Sequence, residues 1–133
     1  MSLSMVFNVM PLYAGLLGLL FIVFTMRVGL VRLSSKISLG DGGDKDLLKR
    51  IRGQGNFTET VPIALLLLIL MEACGATDVW LHSLGTALVL GRLSHYLQIT
   101  GIIKPLLFRS GGMMATIATV LVASVWLLVH FAG

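Results

Sequence analysis

Four long apolar segments limit what this chain can become. They span about residues 5–33, 47–74, 79–100 and 110–132. Each is close to the roughly 20 residues a helix needs to cross the hydrocarbon core of a bilayer. The segments lack strict two-residue alternation, which argues against the other spanning architecture, a closed β-barrel. In 133 residues, 56% hydrophobic and 12% charged, there is more apolar surface than one small globule can hide from water. The expected fold is all-α, an integral membrane four-helix bundle, with residues 1–133 forming a single domain. The first segment has no basic residue before its apolar stretch and is too long for a signal-peptide core, so it reads as a helix of the bundle.

Charge placement predicts an orientation. All ten Lys and Arg fall within Arg27–Arg52 and Arg92–Arg109, flanking the first and third connections. The second connection carries acids only, Glu72 and Asp78, and neither terminus has a basic residue. The positive-inside rule then puts the two basic loops in the cytoplasm and both termini on the opposite side. Topology and anionic headgroups account for the net charge of +4 without nucleic acid. Cys74 is the one cysteine, which excludes an intrachain disulfide and reads as a packing residue.

Between the first two segments, Ser34–Asp46 is polar and rich in Gly and Asp, hence a loop, and Asp44 or Asp46 is placed to cap the second helix. Pro105 breaks helix continuity before the fourth segment. Small residues Gly15 and Gly18, then Gly111, Ala115 and Thr119, predict close helix–helix approach.

Chemistry concentrates where the second helix enters the membrane, in RIRGQGNFTETVP (residues 50–62). At about 100° per residue, Arg52, Asn56 and Glu59 share one face and Gln54 lies on another. A charge near the bilayer centre costs on the order of 2.5–3.5 kcal/mol, so even a shallower face of this kind should not meet lipid. It predicts a protein interior, a subunit boundary or a wet cleft. A bland reading is available, with Arg52 pairing with Glu59 and Asn56 bridging helices. On the third helix Arg92, His95, Tyr96 and Ile99 form a second stripe at the same depth, and Arg27, Arg32 and Arg109 lie nearby. Glu59 is the one carboxylate embedded at that level, so several arginines lack an acidic partner, and a bound anion fits the surplus. His82, His95 and His130 lie at different depths, which disfavours a histidine metal site.

The run Arg52-x-Gln54-x-Asn56-x-x-Glu59-x-x-Pro62 on the second of four membrane helices resembles the signature of the MAPEG family, membrane-associated proteins of eicosanoid and glutathione metabolism. Ser38-Leu39-Gly40-Asp41-Gly42-Gly43 is similar to the first loop of bacterial members, which implies a bacterial inner membrane. The resemblance implies a homotrimer with glutathione, as co-substrate, between neighbouring subunits. It assigns Arg52, Gln54, Asn56 and Glu59 to glutathione, together with a first-helix arginine, Arg27 or Arg32. His95 and Tyr96 stand near positions where the eicosanoid branch has tyrosines, and are carried as ligand-contact candidates. Arg109 falls near the family's arginine that stabilises the glutathione thiolate, which a guanidinium does by favouring the charged form. The implied activity is a glutathione transferase or peroxidase acting on a lipophilic small molecule or lipid. Two alternatives stand beside it: a non-catalytic relative that binds a lipid or partner, and a small multidrug transporter.

Overall fold

A computed structural model describes residues 6–133. The helices are α1 (Met10–Ser35), α2 (Lys45–Ala73), α3 (Asp78–Ile99) and α4 (Leu107–Ala132). α1, α2 and α4 are long and apolar enough to cross a membrane. α3 is less apolar, yet its 22 residues span about 33 Å, and its most polar inner-face members, Arg92 and His95, are buried by neighbouring helices.

Successive helices run antiparallel. Tyr13 of α1 meets His82 of α3 and Phe24 meets Tyr96, so α1 and α3 are parallel. Arg92, late in α3, bonds Asn56, early in α2, and Ser94, late in α3, bonds the carbonyl of Phe108 in the first turn of α4, which sets both pairs antiparallel. α2 and α3 form the middle of the bundle, and α1 and α4 flank them without touching each other. Both basic connections therefore lie at one end.

Three helix ends show how the elements are closed. Asp44 caps α2, its Oδ1 accepting from the amides of Asp46 (2.9 Å) and Leu47 (3.0 Å). α1 ends where Lys36 turns left-handed, φ 57°. Arg32 then closes the loop, donating to the carbonyls of Ile37 (3.2 Å) and Gly40 (2.7 Å). α1 begins at Met10, later than the expected start near residue 5, and Met5 lies outside the described residues. It has no side-chain cap of its own. Instead the carboxylate of Glu72, at the end of α2, accepts from the amides of Asn8, Val9 and Met10 at 2.6–2.8 Å.

The core runs through Leu17, Phe24, Phe57, Ala64, Leu68, Met71, Leu81 and Leu88. α1 leaves Leu12, Leu19, Ile22 and Leu30 exposed, as a helix solvated by lipid should. The tightest crossing differs from the expected one. Gly15, Gly18 and Gly111 face open space, whereas Gly91 of α3 and Gly112 of α4 bring two backbones together. A Cβ on Gly112 would overlap the carbonyl oxygen of Gly91 and come within 2.7 Å of Ser94 Oγ. Gly111 is one residue away and so about 100° around the helix, on the outer side. Ala115 and Thr119 do face inward with Gly112, since their spacing of three and four keeps them on its stripe.

Candidate functional site

α2 carries polar side chains on two flanks at the basic end of the bundle. On one, Arg52 and Glu59 lie 3.9 Å apart, with side chains 56% and 59% exposed. Asn56 sits between them, half-buried. On the other, Gln54 reaches Thr25 of α1 at 3.4 Å, also near the surface. The helical period explains the division: residues 52, 56 and 59 align, and residue 54 is turned by about 200° from residue 52. Among the described residues, the ion pairs are Arg52–Glu59 and Arg50–Asp46.

Arg92 is the most buried charge in the described chain, 2% exposed. Its Nη1 donates to Asn56 Oδ1 and to Thr60 Oγ1 (3.2 Å), and its Nη2 to the Gly112 carbonyl (3.1 Å) and Met113 Sδ (3.6 Å). Its Nε has no hydrogen-bond partner among the described residues. A desolvated guanidinium is costly unless its donors are satisfied. Four neutral acceptors on α2 and α4 do most of that here, and none of them cancels its charge. The surplus of positive charge inferred from sequence thus has a concrete form, an arginine inside the bundle directly behind the Arg52–Glu59 flank.

The remaining candidates are spread around this centre. His95 is buried at the α3–α4 crossing, against Gly112. Tyr96 points the other way, stacked on Phe24 with ring centroids 3.5 Å apart and pressed against Gly53. Its buried hydroxyl has no hydrogen-bond partner among the described residues. Arg27 lies over that ring, its Cζ 5.4 Å from the centroid. Arg32 is engaged by its own loop, and Arg109 is exposed in the first turn of α4. The structure therefore brings Arg52, Asn56 and Glu59 together on one flank, places Gln54 on the other, and gives His95 and Tyr96 to packing within the subunit.

A groove of about 330 Å³ opens beside Glu59 between α2 and α4, lined by Ile63, Met113, Ile117 and Val120, with Thr60 and Thr116. It joins a charged rim to an apolar floor, which suits a ligand with one polar and one lipophilic end. Arg92 and Glu72 were the residues whose roles sequence reasoning missed. Arg92 had a signal, an arginine within a helix that must be buried or paired. Glu72 had only its acid at a helix end, with nothing to indicate a partner more than sixty residues earlier in the chain.

The MAPEG family model matches residues 10–129. Inner membrane protein YecN of Escherichia coli (strain K12) is 37% identical over 121 residues, covering 89% of this chain and 91% of that protein. YecN of Escherichia coli O6:H1 is similar to the same extent. No solved structure matches the chain.

Proposed function

The chain belongs to the MAPEG family, and from that premise we propose that it binds glutathione at the Arg52–Asn56–Glu59 flank and transfers it to, or reduces with it, a lipophilic electrophile. The observation that carries this reading is the exposure of Arg52 and Glu59 on a helix long and apolar enough to cross a membrane. Left against lipid, both charges would be expensive. Covered by a second subunit and a zwitterionic ligand, they gain partners. Glutathione offers two carboxylates, an ammonium and two amides. Glu59 suits the ammonium, and Arg52 a carboxylate or peptide carbonyl.

A homotrimer supplies the cover. In a closed ring each interface joins two different edges of the subunit. One subunit's Arg52–Glu59 edge would meet the Gln54 and α1 edge of the next, reuniting the residues that the period of α2 separates. Arg27 is the first-helix arginine more available to a ligand, because Arg32 already bonds two carbonyls of its loop. Arg109 would hold the thiolate, and the apolar groove between α2 and α4 would take the second substrate. The basic end would face the cytoplasm, in a bacterial inner membrane.

A second reading, binding without turnover, draws support from the burial of His95 and Tyr96, which withdraws two of the expected ligand contacts and leaves thiol activation resting on Arg109 alone. The transporter reading has less support, because Glu59 faces outward from the bundle and not into a pore. Calorimetry on detergent-purified protein tests the site: saturable heat with glutathione, abolished by Arg52→Ala or Glu59→Ala, is expected. Binding that survives both substitutions would sink the assignment.

A further inference from the structure

We infer that Arg92, which lies outside the ligand face, is the positioning residue that makes Asn56 a hydrogen-bond donor toward the ligand and couples it to the α4 turn bearing Arg109. The inference rests on the glutathione reading for the ligand, but its geometry stands within one subunit.

A guanidinium has five N–H donors and no acceptor, so any amide side chain it bonds must present its oxygen. Asn56 does so, accepting at Oδ1 from Arg92 Nη1. Its backbone carbonyl is also engaged, by the Thr60 hydroxyl at 2.8 Å. The Asn56 side-chain NH2 has no acceptor among the described residues, and with the oxygen turned inward it is directed to the flank shared with Arg52 and Glu59. The flank thus reads donor, donor, acceptor along the helix: the Arg52 cation, the Asn56 amide, the Glu59 carboxylate. An asparagine free to flip could instead offer its oxygen; this one is held against doing so. The matching ligand presents oxygen acceptors opposite Arg52 and Asn56 and a cationic amine opposite Glu59.

The other branch of Arg92 reaches the carbonyl of Gly112, three residues after Arg109 on α4. This is where the Gly91–Gly112 contact lets α3 and α4 approach most closely. One buried side chain therefore bridges the α2 residue proposed to hold glutathione and the α4 turn proposed to hold its thiolate. Burial at 2% excludes water as a competing partner and fixes the bridge.

Asn56→Asp and Arg92→Met separate this role from simple stability. Asp retains an oxygen for Arg92, so Asn56→Asp should melt no lower than the parent in detergent, while its glutathione Kd rises at least tenfold because the outward donor is gone. Parent-like binding by a stably folded Asn56→Asp overturns the donor role. The bridge is tested without any ligand by a thermal cycle of Arg92→Met, Asn56→Leu and the pair. Losses in Tm that fall well short of additive support it, and additive losses overturn it. If the unsubstituted protein gives no heat with glutathione, the ligand reading fails and the donor role with it, while the thermal cycle still decides whether Arg92 holds Asn56.

Discussion

The Glu72 carboxylate lies 2.8 Å from the backbone amide of Met10, closing the start of α1 from the end of α2. The same carboxylate takes the amides of Asn8 and Val9. A helix N-terminus leaves amides without partners and carries partial positive charge, so one anion answers both needs. Glu72 is buried, and removing it would strand those donors away from water.

Glu72→Ala should therefore lower stability by on the order of 1–3 kcal/mol, the usual cost of leaving buried polar groups unpaired. Glu72→Gln, with one acceptor oxygen and no charge, should fall between. Thermal unfolding in detergent measures the loss, and amide exchange at residues 8–10 should quicken in the same order. Unchanged exchange at those amides would contradict the cap.

Two adjacent glycines should behave in opposite ways. Gly112→Ala places a methyl against the Gly91 carbonyl and 3.0 Å from His95 Cβ, and overpacking of this kind typically costs about 1–3 kcal/mol. Gly111→Ala meets open space within the subunit and should leave subunit folding unharmed. Melting temperatures of the two variants compare them directly; equal losses would place the crossing elsewhere.

Bound glutathione should show thiolate absorbance near neutral pH if Arg109 stabilises its sulfur. Arg109→Ala should abolish that signal while leaving most of the binding heat, since the other proposed contacts lie on α1 and α2. An unsubstituted protein that binds glutathione with no thiolate signal supports binding without turnover.

The two first-helix arginines should separate in a binding assay. Arg32→Ala removes bonds to Ile37 and Gly40 and should loosen the α1–α2 loop, raising its protease sensitivity, with glutathione affinity within about threefold of the parent. Arg27→Ala should weaken binding more strongly. The reverse order would move the anion contact to Arg32.

Cys74 offers a test of orientation. It is half-buried at the end opposite the basic loops. A membrane-impermeant thiol reagent should label it in spheroplasts, and a cysteine introduced at Ser38 should be labelled only after the membrane is opened. The opposite pattern would invert the proposed topology.

Sequence alone determined the helices and their order, because apolar length and charge placement act locally on each segment. It also determined that Arg52, Asn56 and Glu59 share a flank and that Gln54 does not, since the period of one helix fixes relations along that helix. It narrowed the α2 cap to Asp44 or Asp46, because a cap lies beside the turn it closes, and the structure gives the role to Asp44. It could not determine how far each helix rotates about its own axis relative to its neighbours. That rotation chose Gly112 over Gly111 for the α3–α4 contact, and it turned His95 and Tyr96 into the packing. It also brought Arg92 to Asn56 and Glu72 to Met10, pairs 36 and 62 residues apart in sequence. Such partners are chosen by side-chain packing and by the cost of burying an unpaired polar group, and both exist only once all four helices have come together.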